Sequence, residues 1–241
     1  MLVLALDTST PEVTAGVVRL SSPRELIAAL EAGQASRPVA VLAQRRVTDP
    51  LGHAERLMPL VGDALAAAGH TLRDLHAVVV GVGPGPFTGL RVGMVTAAAL
   101  GDALDLPVHG VPSHDGLARS LHPLPGELLV VTDARRRELY LSGYRADGRR
   151  VVGPLVVAPA GVGDVLAEHD LAPGHLAGAG APLLDLAAAR LDPPDDAPAL
   201  GLVECVVTPL LTGAVPGPLV PLYLRRPDAT VPGARKSVLG R

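Results

Sequence analysis

A chain of 241 residues, 48% hydrophobic and 19% charged, can bury a substantial core, which excludes a disordered polymer. A formal net charge of −3, 2% aromatic residues and a single Phe, Phe87, argue against a strong autonomous grip on RNA phosphates and against a base-stacking platform. One cysteine, Cys205, excludes an intrachain disulfide framework or a Cys-rich zinc site, and its apolar surroundings read as a packed core thiol.

The N-terminus opens on a strand pattern without a basic leader or cleavage signal, and no apolar run reaches membrane length, so a soluble cytoplasmic protein is expected. Residues 1–6 and 13–20 read as strands joined by Asp7-Thr8-Ser9-Thr10-Pro11, a hairpin. Residues 21–38 are a mixed excursion with a short helix at 24–32, and 39–47 resume as a strand. From His53 to Ala68 the stripe Leu57, Leu60, Val61, Ala64, Leu65, Ala68 has helical spacing. Pro59 predicts a kink or a late start, and Gly69 the end.

Residues 77–82 form a buried strand that runs into GVGPGPFTGLRVGMVT, Gly81 to Thr96. Gly83, Gly85 and Gly89 allow a sharp turn into a helix at 88–104, with Thr88 as its expected N-cap. Such a turn can hold an anion, or can simply be tight; the glycines alone favour the ligand-free turn. No P-loop is present, because no Lys follows the glycines; the one Lys is Lys236. Residues 107–111 are a further strand, so the first half reads β-β-β-α-β-α-β, a mixed sheet with crossover helices.

The second half offers a similar order without a visible sequence repeat. Strands are expected at 128–133, 138–144 and 149–157, helices at 160–169 and 182–191, a loop at 193–198 and a last helix at 199–211. The tail from 227 is punctuated by Pro and Gly and is expected to be mobile.

Several segments together carry a resemblance: GVGPGPFTGLRVG, ALDTST, HAERLMP, VTDARRRELY and PLYLRRPDA, spread over nearly the whole chain. Together they are similar to the bacterial TsaB (YeaZ) family. The resemblance implies an α/β, two-lobed actin–sugar kinase–Hsp70-like (ASKHA) fold of mixed sheets, with lobes at 1–111 and 112–226 and a flexible tail at 227–241. It also implies a non-catalytic partner that binds and activates a TsaD-like threonylcarbamoyl transferase, together with a TsaE-like ATPase. The reaction is tRNA threonylcarbamoyladenosine modification beside the anticodon. The tRNA is met only through the complex, and a homodimer is expected when the chain is alone. No cofactor and no membrane are implied. The alternative is an ATP-dependent transferase or a metalloprotease-like hydrolase acting on its own.

The residues bear on each chemistry. Catalytic relatives of the TsaD/Kae1 type carry HxxxH on a helix; here Leu57 stands where the second histidine would follow His53, so no metal site is expected. Asp7, Thr8 and Ser9 match the place of a first phosphate loop, and Asp133-Ala134-Arg135 the place of a second. Gly178 and Gly180 resemble a shortened adenosine loop. For all three, a turn satisfied by its own side chains is an equal reading. Ser9, Ser113 and Ser142, with His109 or His114 as base, are the candidates for nucleophilic catalysis, and none lies in a G-x-S-x-G elbow. Pro86 replaces a Ser of many relatives, so no hydroxyl is essential there. The arginine turn 133–138 reads as a solvated hairpin with local ion pairs, narrowly ahead of an RNA contact, and Arg225-Arg226 as a packed strand or turn with exposed charges, or a docking edge. Surplus apolar surface on the two helices marks a partner interface, expected at His53, Met58, Val61, Leu65, Leu90, Met94 and Ala98.

Overall fold

The computed structural model describes residues 1–33, 38–49 and 52–225; Arg226 and the tail lie outside the described residues. The first sheet is built from β1 (Leu2–Asp7), β2 (Glu12–Leu20), β3 (Val39–Thr48), β4 (Ala77–Gly81) and β5 (Val108–Val111), in the order β3-β2-β1-β4-β5. The pairs β1–β2 and β2–β3 are antiparallel, whereas β1–β4 and β4–β5 are parallel. Strands β1 and β4 read as unbroken apolar runs because both of their faces are covered. Leu2, Leu4 and Leu6 point into a core shared with α2 (His53–Ala68) and α3 (Phe87–Leu104). Val3 and Ala5, on the alternate face, meet α6 (Ala197–Cys205) and α7 (Val207–Thr212).

The second sheet comprises β6 (Leu128–Asp133), β7 (Leu139–Tyr144), β8 (Arg150–Val157), β9 (His175–Ala177) and β10 (Ala189–Leu191), in the order β10-β9-β6-β7-β8. Its three leading strands are antiparallel and its last two parallel, so it repeats the connectivity of the first sheet. The repeat absent from the sequence is present in the topology, and the α/β, two-lobed fold is as expected.

Several local expectations are corrected. Helix α1 (Pro23–Glu31) is capped by a Ser22–Glu25 capping box and buries no residue. Helix α2 begins at His53 and runs through Pro59, so the late start does not occur. Helix α3 begins at Phe87 with Pro86 as N-cap; Thr88 lies within its first turn and does not cap it. An unforeseen helix, α4 (Ser113–Leu121), follows β5 directly. The helix expected at 182–191 is absent: a single 3-10 turn at Ala181–Leu183 leads to β10, because Leu184 and Leu186, two residues apart and without continued helical periodicity, pack into the second lobe's core. Residues 199–211 are two helices, with Val206 between them. Cys205 is exposed at the end of α6, where the helix leaves the sheet, and is not a core thiol.

The division at 111/112 separates the strands of the two sheets, but α6 and α7 return to the first sheet. Helix α4 meets this returning segment. Gly116 packs against Leu202, and a Cβ on Gly201 would overlap the carbonyl oxygen of Gly116. The α4–α6 crossing therefore works only with Gly201. Gly201→Ala is expected to lower stability by about 3 kcal/mol, since backbone on the facing helix cannot yield as a side chain would. Chemical denaturation of the two proteins checks this.

Candidate functional site

The loop after β1 and the glycine turn before α3 are pressed together. Thr8 Oγ1 donates to the carbonyl of Gly89 (2.7 Å) and accepts from the amide of Gly93 (3.1 Å). A Cβ on Gly85 would overlap the carbonyl of Ser9, and one on Gly89 would lie 2.6 Å from the carbonyl of Thr8. Gly83, at φ +101°, is the turn's left-handed residue; Gly85 is required by close approach rather than by its φ. On the far side, Ser113 N donates to Gly83 O (2.7 Å) while its hydroxyl accepts from Gly83 N (3.3 Å). Asp7 accepts from the Ser9 amide (2.7 Å); burial raises its pKa, against the hydrogen bonds from Ser9 and Ser113 that lower it. The donors of a first phosphate loop are thus turned inward, onto the chain itself.

The second-lobe loops behave alike. Asp133 accepts from the amide of Arg135 (2.7 Å) and so closes its own turn. Ala134 is buried; its amide donates to Glu138 O (2.9 Å) and its carbonyl accepts from the Arg225 guanidinium. Glu138 pairs with Arg225 at 3.2 Å. Gly178, at φ +92°, and Gly180 lie on the backbone of Val131 and Thr132, and Gly180 N donates to Val131 O (2.9 Å). Their glycines serve strand packing.

Among the nucleophile candidates the structure unites one pair, His114 and Ser142. The His114 ring bonds Ser142 Oγ and Thr132 Oγ1, each at 2.9 Å, and both His114 and Ser142 are buried. Burial, reinforced by the Arg150 charge, lowers the His114 pKa to about 3. A neutral ring held between two hydroxyls, with no carboxylate behind it, is a tie between α4 and the second sheet rather than a working base. His109 lies on β5, its pKa lowered by burial.

His53 opens α2, and its Nε2 lies 2.9 Å from the Thr10 carbonyl, so its ring fastens the helix start to the β1–β2 loop. Leu57, at the second ligand position, is in the core. No group of three or more His, Cys, Asp or Glu among the described residues is placed to hold a metal.

Of the expected interface residues, Val61, Leu65, Leu90 and Met94 are buried against the chain's own sheet. The outward flank of these helices is Met58 with Val95 and Ala98. The error lies in phase: a helix apolar nearly all round does not reveal which stripe its sheet takes.

Two features have no sequence signal. A cavity of about 440 Å³ opens between α4, the β7–β8 hairpin and α6. Its charges are internally matched: Arg150 bonds both Asp115 oxygens (2.9 and 3.0 Å), Tyr144 donates to Asp115 (2.8 Å), and Arg119 lies 3.6 Å from Glu204. The other feature is a stack of Phe87, Tyr223 and Arg91, from segments more than 130 residues apart.

Gly85→Ala is expected to cost about 2 kcal/mol or more, since the new methyl meets a carbonyl that Thr8 holds in place; a thermal melt measures it. His114 has a testable sign. Its folded pKa lies below the unfolded value near 6.5, so its neutral-state stabilisation is complete above about pH 6.5 and is lost as pH falls toward 3. Stability should fall through that window by as much as about 1.4 kcal/mol per pH unit. Urea titrations at stepped pH should show His114→Gln less stable near neutrality but flatter in this window.

The family model described as TsaD, tRNA N6-adenosine threonylcarbamoyltransferase, matches residues 50–194. An uncharacterized protein of Mycobacterium tuberculosis is 48% identical over 230 residues, covering 94% of this chain and 93% of the relative. The tRNA threonylcarbamoyladenosine biosynthesis protein TsaB of Escherichia coli is 36% identical over 100 residues, covering 41% of this chain and 43% of that protein. Among solved structures, YeaZ from Pseudomonas aeruginosa aligns with a TM-score of 0.65 at 25% identity, covering 90% of this chain and 96% of that one. The chain therefore belongs to the TsaB (YeaZ) family, matched by the TsaD family model over more than half of its length.

Proposed function

We propose that this chain is a non-catalytic partner in tRNA threonylcarbamoyladenosine biosynthesis, binding and activating a TsaD-like transferase with a TsaE-like ATPase in attendance. The observation that carries this reading is Thr8. Its hydroxyl is spent twice on α3, and the glycines around it close on protein backbone. A loop committed in this way has little left with which to hold phosphates, and the Asp133 turn is likewise satisfied from within.

The partner surface follows from what α2 and α3 leave uncovered. Met58 on α2 is 42% and Val95 on α3 66% exposed, with Ala98 also exposed about one turn beyond Val95. Large apolar side chains left out of a well-filled core mark a surface awaiting a neighbour. Among the described residues, the C-terminal segment meets the start of α3 through Tyr223 on Phe87 and Arg91. A TsaD-like subunit occupies this flank, or a second copy when the chain is alone.

Met58→Glu and Val95→Glu are expected to leave the fold intact and to weaken heterodimer formation at least tenfold, because a buried unpaired carboxylate costs several kcal/mol. Sedimentation of each variant with a TsaD-like partner measures this; unchanged affinity for both would put the contact elsewhere. Calorimetric titration of the isolated chain with Mg-ATP should show no stoichiometric low-micromolar site. Such a site would favour the alternative of an ATP-dependent transferase.

A further inference from the structure

The fold brings the chain's scarce aromatic residues to the edge of its arginine turn. Phe87 and Tyr223 stack with centroids 4.8 Å apart at 33°, and both remain well exposed, at 40% and 38%. The Arg91 guanidinium lies 3.8 Å from the Phe87 centroid and donates from Nε to the Tyr223 hydroxyl (2.9 Å). Two residues beyond Tyr223, Arg225 crosses to the other lobe, where it bonds Ala134 O and Glu138. Tyr140, two residues past Glu138, donates to the carbonyl of Gly85 (3.5 Å), two residues before Phe87, so the stack and the turn lie on neighbouring loops.

That turn is unusual. Arg135, Arg136 and Arg137 take φ values of 66°, 53° and 62°, three consecutive side-chain-bearing residues in the left-handed region. All three are exposed. Glycine or asparagine would fit these angles better, so arginine is held there against local preference. The joint face gathers five arginines around two carboxylates, Asp133 and Glu138.

We infer that this face, the Phe87–Tyr223–Arg91 stack together with the Arg135–Arg137 turn, binds single-stranded RNA, as in the loop of a tRNA arm. Aromatic and guanidinium planes receive unstacked bases, and neighbouring arginines hold the phosphates between them. A duplex offers no free base faces to such planes, whereas an unpaired loop does. The inference rests on the tRNA reading above and adds to it a direct contact made by this chain.

The test uses the full chain, alone and with its TsaD-like partner. The probes are an RNA hairpin with a seven-nucleotide loop, a blunt RNA duplex of equal charge, and inorganic polyphosphate. Arg135→Gln/Arg137→Gln should weaken hairpin binding about tenfold or more. It should also reduce the slope of log K against log salt by about 1.4, two phosphate contacts on a single strand. Phe87→Leu/Tyr223→Leu should weaken hairpin binding about fivefold or more and leave duplex binding unchanged. Equal binding of all three probes, or hairpin binding untouched in both variants with unchanged melting temperatures, overturns the inference. So does loss of partner binding in the arginine variant with RNA binding retained. Failure of the wild-type chain to bind its partner sinks the scaffold reading instead, and hairpin binding by the chain alone then decides this one.

Discussion

The Thr8 hydroxyl is the small contact on which the first lobe's geometry depends. One oxygen donates to Gly89 and accepts from Gly93, fixing the start of α3 against the end of β1. Three of the nearby glycines follow from it. Gly85, Gly89 and Gly93 lack side chains because the β1–β2 loop must reach this hydrogen-bonding distance. The same closeness orders His53 on the Thr10 carbonyl, so α2 and α3 both begin from one anchored loop. A glycine-rich strand-to-helix turn is often a ligand cradle; here the chain's own loop lies in it.

The two lobes are joined by contacts of a different kind. Each sheet repeats one connectivity, three antiparallel strands and two parallel ones. The helices break this equivalence. Helices α6 and α7 leave the second sheet and cover the back of the first, and α4 lies on α6 at the Gly116–Gly201 approach. His114 on α4 then bonds two hydroxyls of the second sheet. The lobes share a glycine-tight helix pair at one place and the Arg225 clasp at another.

The strands were legible because burial on both faces leaves unbroken apolar runs, as in β1 and β4. The glycine turn was legible for the same kind of reason, being a run of residues that only a tight turn requires. What failed had no local signature. Helix α4 carries Gly116 and His114, poor helix formers kept for packing and bonding across the lobes. The 182–191 stretch has helix-forming leucines and alanines, but the second core draws them in from an irregular loop. Four of the expected interface residues turn out to face the chain's own core, since α3 is apolar on both sides and Met94 and Val95 differ only in phase.

Composition describes the whole chain and not any one face. A mean aromatic content of 2% and a net charge of −3 speak against nucleic-acid recognition only if residues are spread evenly. Recognition is local, within a Debye length of about 8 Å at physiological salt. Three exposed arginines in one turn, beside two of the chain's four aromatic side chains, set a local character that the averages conceal. Phe87 and Tyr223 would each be worth burying in a core otherwise made of Ala, Val and Leu, where one ring removes more apolar surface than any neighbour. Both stand at the surface, stacked on each other and on Arg91. Stability alone gives no reason for that placement, whereas a planar, cationic surface for a partner does.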